Sequence, residues 1–229
     1  MPRTKPAPEQ PATPRSRKGA ATRARLLEAA KPVFEEAGFL EARITDISEG
    51  AGVSHGSFYH YFDSKEQIFR EIAEVQEAHL TSSDTDAGAD TDGDGDGDGD
   101  GDAQWERIRR ANRRYLERYR DNGKIMGVIE EVSRYDAHVN EARMRRQRHF
   151  ADRAERAIRR LQAEGAADPQ IDPQIAAVAL GSMVGRFAEV WLVEDWARFD
   201  FDTAVDQVTR LWANAIGLRE PARKRRRSS

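Results

Sequence analysis

The stretch of sequence that decides the fold lies at residues 44–66 and reads ITDISEGAGVSHGSFYHYFDSKE. It has the pattern of a helix-turn-helix, in which two short helices cross at a steep angle through a tight turn. Gly52 permits the turn, because glycine has no Cβ to oppose a left-handed backbone. The residues spaced to form a small core shared by the two helices are Ile47, Ala51, Val53 and Phe58.

The second helix of this motif carries the side chains that can read DNA. Ser54 is the predicted N-cap of this second helix, because a serine hydroxyl can accept a hydrogen bond from the free amides of a first helical turn. The polar side chains that follow can hydrogen-bond to base edges in a groove; they are His55, Ser57, Tyr59 and His60. A metal site is not expected here, since His55 and His60 lie five residues apart and do not share a helix face well.

Lys65 occupies an electrostatically unfavourable position in the first turn of the next helix, where Ser64 and Gln67 have the spacing of a capping box. The helix dipole disfavours a cation there by roughly 0.3–1 kcal/mol, which suggests a compensating partner. A DNA phosphate that contacts both the ammonium and the helix N-terminus would be such a partner. The alternative is an exposed lysine without a role.

Residues 44–66 resemble the signature of the TetR family of transcriptional regulators, and parts of residues 26–39 resemble its first helix. The resemblance implies an all-α fold with an N-terminal three-helix helix-turn-helix DNA-binding domain and a C-terminal helical ligand-binding and dimerisation domain. The rest of the chain resembles the family only in length and helical pattern. Two residues depart from the family pattern: Ser48 stands where alanine is more usual, and Gly50 weakens an already short helix.

The resemblance also implies a set of DNA contacts. Thr45 and Lys65 would hold phosphates, and the residues of the second helix would lie on or near DNA. Judged by its own chemistry, Tyr61 fits a core position as well as a phosphate contact, whereas Tyr59 fits a DNA contact better. The predicted DNA-binding residues are Thr45, Ser54, His55, Gly56, Ser57, Tyr59, His60, Tyr61 and Lys65.

The remaining sequence shows helical periodicity, no alternating strand pattern and no internal repeat. A first helix is predicted at 22–37, ended by Gly38 and kinked at Pro32, whose ring crowds the preceding turn. Asp172, which precedes Pro173, is the predicted N-cap of the helix at 173–193, and Asp202 is the predicted N-cap of the helix at 203–217. The further predicted helices are 45–51, 55–61, 65–80, 103–122, 124–135, 137–164, 173–193 and 203–217.

Composition divides the 229 residues into five parts. The net charge of −3 hides nine Asp residues in 84–102, without which the chain has 37 basic and 31 acidic residues. Basic ends favour phosphate binding, while the acidic segment could compete for Arg15, Arg17 and Lys18. The parts are a disordered basic Pro-rich arm (1–21), the helix-turn-helix domain (22–82), a disordered Asp/Gly linker (83–102), the ligand-binding and dimerisation domain (103–218) and a basic tail (219–229).

Several functional classes are disfavoured by the composition. Cysteine is absent, which excludes disulfides, thiolate metal sites and cysteine catalysis, and favours a reducing compartment, the cytoplasm. The uncharged run from Ile175 ends at Arg186 and is shorter than the roughly 20 residues that a membrane span needs. The acidic repeat that starts at Asp92 lacks the glutamate of a calcium loop. No enzyme motif is found, and we expect no cofactor and no metal.

Small residues recur every four positions in the predicted helix 173–193 and would form a groove for a second helix. That helix could belong to the same chain or to a partner. The resemblance implies the partner, because the last two helices of the family pair into a four-helix bundle, and a symmetric dimer suits a palindromic operator. The predicted dimer interface is Ala177, Gly181, Gly185, Val205, Val208 and Trp212.

Aromatic and methionine side chains of the C-terminal half could line a ligand cavity, although at helical spacing they also fit a plain core. They are Trp105, Tyr115, Tyr119, Met126, Ile129, Phe150, Met183, Phe187 and Trp191. Eight arginines crowd residues 143–160. They form either a solvated face paired with Glu141 and Glu155 or a site for an anionic ligand such as an acyl-CoA phosphate.

These observations predict a ligand-responsive transcriptional repressor. It would bind palindromic operator DNA as a homodimer and be released by a small-molecule inducer, either apolar or acyl-CoA-like. The resemblance implies that inducer binding moves the two DNA-reading heads apart, and a hundredfold release requires about 2.7 kcal/mol of differential binding. The alternative is an activator or architectural regulator without an inducer.

Overall fold

The computed structural model describes residues 17–82 and 101–218 of the chain, and within these ranges every regular element is an α-helix. The predicted all-α fold is therefore confirmed. The helices are α1 (Arg17–Glu41), α2 (Ile44–Gly50), α3 (His55–Phe58), α4 (Lys65–Ser82), α5 (Gly101–Asp121), α6 (Gly123–Val132), α7 (Ala137–Ala163), α8 (Pro173–Leu192) and α9 (Phe201–Ala215).

The chain forms two compact units. Unit 1 comprises the residues up to Val75 together with Val128–Val139, and unit 2 comprises Gln76–Gly127 and the residues from Asn140 onward. Most of the N-terminal arm, almost all of the Asp/Gly linker and the basic tail lie outside the described residues, so those predictions stay predictions.

The first helix departs from the predicted geometry. It begins at Arg17 and continues to Glu41, and its backbone leaves helical geometry at Gly38 rather than at Pro32. Gly38 has a φ of 72°, a left-handed value that glycine adopts without a steric cost. The predicted break at Gly38 is thus confirmed, but the chain resumes helical geometry afterwards.

Two N-caps in unit 2 were predicted, and one prediction is correct. The Asp172 carboxylate accepts the Ile175 N–H at 2.9 Å, as predicted for α8. The cap of α9 is Asp200, whose carboxylate accepts the Thr203 N–H at 2.9 Å. The prediction of Asp202 was wrong, because that residue lies in the first turn of the helix and pairs instead with Arg113.

The core of unit 2 is built from helices α5, α7, α8 and α9. By length and mean hydropathy, α8 would suffice to cross a membrane, but five of its residues, from Ala177 to Trp191, are buried in the protein, three of them in this core. The fully or nearly buried side chains of the core include Trp105, Ile158, Leu161, Leu180, Val184, Val208, Trp212 and Ile216.

The closest helix approach that depends on glycine lies at α6. A Cβ on Gly127 would stand 2.7 Å from Val193 Cγ1, and one on Gly123 would stand 3.1 Å from the Leu192 carbonyl oxygen. A Cβ on Gly181 would meet no heavy atom within 4 Å. The groove that a helix of the same chain fills is therefore lined by Gly123 and Gly127, a pair that the sequence pattern did not single out.

Candidate nucleic-acid interface

The helix-turn-helix of unit 1 rests on a small apolar core. Ile47 and Phe58 are completely buried and Ala51 nearly so, as the spacing predicted, while Val53 is half-buried. Gly52 has a φ of 64°, and the turn is closed by the bond from the Val53 N–H to the Ser48 carbonyl at 3.0 Å. Helices α2 and α3 are thereby held at a fixed mutual angle, which a groove-reading helix requires.

Local hydrogen bonds fix the start of α3. The Ser54 hydroxyl accepts the Ser57 N–H at 3.3 Å, so the predicted N-cap is confirmed. The helix is shorter than predicted and ends at Phe58 instead of Tyr61, with bonds of the tighter i to i+3 type at His60 and Tyr61. A helix of one turn presents few side chains, and these are held rigidly by the core beneath them.

The predicted DNA-binding residues of this segment lie close together at the surface. His55, Gly56 and His60 are exposed, Tyr59 is 49% exposed, and Ser57 and Tyr61 are half-buried. The rings of His55 and Tyr59 lie edge to face with centroids 5.4 Å apart. This edge offers ring nitrogens, a phenol and backbone amides at the surface, which is donor and acceptor chemistry suited to base edges and phosphates.

Thr45 lies exposed in the first turn of α2, where its hydroxyl donates to Asp46 at 3.2 Å. Arg43 precedes α2 as its N-cap residue, with no side-chain bond to the cap. Exposed Arg17, Lys18 and Arg25 add further positive charge on α1. Cations of this kind supply the sequence-independent part of DNA binding through phosphate contacts.

The Lys65 ammonium has partners within the chain. It donates to the carbonyl oxygens of Leu40 and Ala42 at 2.9 and 3.0 Å, and it lies 4.8 Å from the centroid of the Phe39 ring. These groups belong to the end of α1, where unpaired carbonyls are acceptors. A compensating partner was predicted for Lys65, and the structure supplies one without DNA. Because the ammonium group has three protons and two are used in these bonds, one remains for a phosphate.

Both departures from the family pattern have a local explanation. Ser48 is buried, and its hydroxyl donates to the Ile44 carbonyl at 2.8 Å, which satisfies the polar group inside the helix. Gly50 lies where a Cβ would stand 3.3 Å from the Cβ of Ala29. A glycine that lowers the stability of α2 thus allows α1 to approach closely.

Long-range ion pairs stabilise unit 1, and sequence spacing did not indicate them. Arg23 on α1 pairs with Glu71 on α4 through both guanidinium nitrogens and stacks on the Phe62 ring, 4.7 Å from its centroid. Arg70 donates to Asp136 at 2.9 Å. Because these partners lie 48 and 66 residues apart, no local pattern connects them.

Asp136 has two structural roles: it pairs with Arg70, and it accepts hydrogen bonds from the N–H groups of His138 and Val139 at the start of α7. Burial raises the pKa of Asp136, but the bonds from Arg70 and from these backbone amides outweigh burial and hold the pKa below its ordinary value. Burial next to Glu131 and Asp136 raises the pKa of Tyr135.

The predicted pocket residues fall into separate groups. Ile129 belongs to unit 1, and the others belong to unit 2. Tyr115 contacts Tyr119 and Phe150, with ring centroids 5.8 and 5.3 Å apart. Trp105 lies in the core of unit 2 and Met126 is fully buried on α6. Met183 and Phe187 line an open groove of about 190 Å³ between α8 and α9. The rings of Trp191 and Phe187 lie with their centroids 5.3 Å apart.

The predicted dimer residues also divide. Ala177, Val205, Val208 and Trp212 are buried inside their own chain, so intrachain packing describes these four. Gly181 is exposed, and a Cβ on Gly185 would stand 3.7 Å from the Tyr115 hydroxyl. The apolar side chains that α8, α9 and the intervening loop leave at the surface are others, namely Ile175, Val178, Trp196, Phe199 and Leu211.

A capped one-turn reading helix on a fixed helix-turn-helix core, followed by a separate helical unit, defines a DNA-binding transcriptional regulator. Comparison with known families agrees. The model of the bacterial regulatory proteins of the tetR family matches residues 26–72, and the model of the C-terminal domain of the transcriptional regulator EthR matches residues 108–217. The chain belongs to the TetR family of transcriptional regulators, which are not enzymes.

Curated relatives match short stretches of the chain. The HTH-type regulator YdgC of Bacillus subtilis is 47% identical over 55 residues, which are 24% of this chain and 28% of YdgC. The repressor KstR2 of Mycolicibacterium smegmatis is 39% identical over 66 residues, 29% of this chain and 30% of KstR2. Each match thus spans less than a third of the relative's own length.

Solved structures match along most of the chain. The fatty acid degradation regulator FadR of Bacillus halodurans superposes with a TM-score of 0.67 at 15% identity, covering 86% of this chain and 97% of FadR. FadR of Bacillus subtilis, solved in complex with stearoyl-CoA, superposes with a TM-score of 0.65 at 14% identity. The superposition covers 84% of this chain and 98% of that FadR. At these identities the likeness concerns the fold.

Proposed function

We propose that this regulator is a ligand-responsive repressor that binds a palindromic operator as a homodimer and leaves it when a small molecule binds unit 2. The observation that carries the proposal is the exposed edge of α3, where His55, Tyr59 and His60 project from a capped turn on a rigid core. A role at the chromosome implies a cytoplasmic location.

The proposed DNA contacts follow from this placement. His55, Ser57, Tyr59 and His60 read base edges, because they lie on or beside the only turn of α3. Thr45, Ser54, Gly56, Tyr61 and Lys65 contact the phosphate backbone, through hydroxyls, a backbone amide and the remaining ammonium proton. Phosphate contacts would fix the register, and the few base contacts would give the sequence preference.

The proposed homodimer forms through α8 and α9. Ile175 and Val178 on α8 and Leu211 on α9 are more than half exposed, and an open apolar groove lies between the two helices. Monomeric proteins rarely expose contiguous apolar surface of this kind. A second copy provides the matching surface, since a two-fold interface is self-complementary and a two-fold dimer matches a palindrome. Gly181 and Gly185 lie on the same helix and would allow close approach.

The proposed inducer is apolar or acyl-CoA-like. Two features of unit 2 support this class: an aromatic cluster of Tyr115, Tyr119 and Phe150, and the buried ion pair between Arg146 and Glu77 at 2.9 Å. A structural relative, FadR of Bacillus subtilis, was solved with stearoyl-CoA. An acyl chain suits the aromatic side chains, and the eight arginines of α7 supply a counter-charge for the phosphates of coenzyme A.

The test begins with capture of genomic DNA fragments by the purified protein, followed by gel-shift titration of the recovered sequence. We expect a palindromic site bound by two protomers and release on addition of stearoyl-CoA, with free coenzyme A as the control. Binding that persists with every acyl-CoA and fatty acid tested would contradict the inducer. Increased reporter expression in the presence of the protein would instead support an activator.

A further inference from the structure

Helix α7 carries a face of exposed arginines that we define as the arginine face: Arg145, Arg148, Arg156, Arg159 and Arg160. At 100° per residue these five side chains project within an arc of about 120°. The helix contains eight arginines but only three acidic residues. The face therefore has a strong excess of positive charge.

Ion pairs on the helix itself neutralise only part of this charge. Arg145, Arg159 and Arg160 have i,i+4 partners at 3.5, 2.6 and 4.0 Å, and exposed pairs of this type contribute little. Arg148 and Arg156 have no ion-pair partner within residues 17–82 and 101–218. Like charges one to two turns apart repel each other, so the face favours an anionic partner.

The two helices that flank residues 83–100 each bond to α7 or to the residue just after it. Glu77, five residues before the end of α4, pairs with Arg146 of α7 at 2.9 Å. Gln104, near the start of α5, donates to Glu164 just after α7 at 3.3 Å. By helical spacing, the buried Arg146 lies on the same side of the helix axis as Glu164, the residue just after α7, and about 27 Å from it along the axis.

Residues 83–100 join the end of α4, five residues after Glu77, to the start of α5, three residues before Gln104. A glycine-rich chain of 18 residues has a root-mean-square span of roughly 21–25 Å, which is comparable with the distance between the two contacts along α7. The segment contains eight Asp and no Lys or Arg. Tethering at both ends gives it a local concentration in the millimolar range at the arginine face.

We propose that residues 84–100 dock on the arginine face of α7 as an internal polyanion, with Arg148 and Arg156 as the central contacts. The segment then occupies a surface that would otherwise bind DNA phosphates without sequence preference. DNA binding is thereby confined to the helix-turn-helix. This role differs from competition at Arg17 and Lys18, since its cations lie in unit 2.

A disulfide cross-linking experiment tests the docking directly. Because the chain has no native cysteine, the two introduced thiols are the only ones that can react. Gly95→Cys in the segment is combined with Asp152→Cys, an exposed position between Arg148 and Arg156. We expect intrachain cross-linking to slow about fivefold or more from 0.01 M to 1 M salt, since the Debye length falls from about 30 Å to about 3 Å. A covalent dimer on the gel would identify cross-links between chains.

Variants of the two central arginines complete this test. Arg148→Gln with Arg156→Gln should lower the low-salt rate to the high-salt value, whereas Arg134→Gln with Arg198→Gln, which are equally exposed, should leave it unchanged. Circular dichroism checks that the variants keep their helices. A rate that is independent of salt and equal in all variants would overturn the proposal.

Non-specific DNA binding gives an independent readout. Changing the eight Asp of residues 83–100 to Asn should raise affinity for a random duplex, and Arg148→Gln with Arg156→Gln should abolish that gain. If the gain survives the arginine changes, the segment acts elsewhere and the proposal is wrong. The cross-linking result does not depend on operator binding, so it can fail or succeed separately from the proposed function.

Discussion

At the scale of single residues, Lys65 has an observed structural role beside its proposed role in DNA binding. Its ammonium closes the end of α1 through the carbonyls of Leu40 and Ala42. The resemblance to the TetR family implied only a phosphate contact. A mutation of Lys65 therefore changes two properties, which must be measured separately.

Lys65→Ala should lower the free energy of unfolding by about 1–2 kcal/mol, because two carbonyls lose a charged donor. It should also weaken specific and non-specific DNA binding together and lower the slope of log affinity against log salt by about one. Urea unfolding and a salt series of binding titrations measure the two effects.

Tyr59→Ala is the matched comparison. Tyr59 is half exposed and its ring lies edge to face with those of His55 and Phe58, so its loss should reduce operator affinity while the free energy of unfolding stays nearly constant. Unchanged operator affinity in both variants would remove Lys65 and Tyr59 from the DNA-binding site.

Asp136 is the second residue whose loss has a distinct signature. Asp136→Ala removes the bond from Arg70 and the cap of α7, and should cost about 1–3 kcal/mol at neutral pH. The folded-state pKa of Asp136 is lowered, so its contribution is present above the unfolded pKa and is lost as the pH falls through the folded pKa. The variant should therefore differ from wild type at neutral pH and converge with it in acid.

Urea unfolding across the acid range measures this convergence. Asp152→Ala on the same helix is the control, since Asp152 is exposed and lies within α7. A constant difference between Asp136→Ala and wild type at all pH values would show that the carboxylate charge does not matter.

At the scale of elements, the helices could be predicted because their signals are local. Local sequence patterns predicted each helix of the described residues, and Ser54 and Asp172 were recognisable as N-caps. Asp200 and Asp202 both lie at the start of α9, one as its N-cap and one in its first turn, and they have equal capping chemistry, so the sequence alone could not separate them. The approach at Gly127 was missed because its partner Val193 lies far along the chain. The same holds for the pairing of Arg23 with Glu71.

Gly127→Ala should destabilise the protein by about 1–3 kcal/mol, because its Cβ would stand 2.7 Å from Val193 Cγ1 and branched valine cannot move aside easily. Val193→Ala in the same chain should recover most of that loss. Gly56→Ala is the control, since a Cβ there meets nothing within 4 Å and the residue lies outside the proposed dimer surface. Equal effects of the two glycine changes on thermal unfolding would show that α6 does not pack as described.

At the scale of the whole molecule, the proposed dimer and the proposed DNA site can be separated by mutation. The proposed DNA-reading residues belong to unit 1, and the exposed apolar side chains of α8 and α9 belong to unit 2. The sequence pattern placed the predicted interface on α8 and α9, but it selected several side chains that their own core buries. A four-residue spacing drifts around a helix and cannot tell an inward face from an outward one.

Leu211→Glu should convert the dimer to a monomer, because it places a charge in an apolar contact. The helical content should stay constant, since Leu211 is 58% exposed in the protomer. Operator affinity should fall to that of a single half-site. Sedimentation velocity and gel shift measure these outcomes.

Leu40→Glu provides the control for this prediction, since Leu40 is a 70% exposed leucine of unit 1. It should leave the sedimentation coefficient unchanged. A dimer that survives Leu211→Glu with unchanged stability would show that the chains associate through another surface.

The loop after α8 also supplies a natural optical probe. Of the four tryptophans, Trp105, Trp191 and Trp212 are buried, whereas Trp196 is 78% exposed, in a loop where Asp195 takes a left-handed φ of 46°. A water-soluble quencher should therefore reach one fluorophore in four. Because Trp196 lies beside the surface proposed to meet a second copy, its quenching and emission wavelength should report subunit association in the unlabelled protein, at concentrations too low for scattering.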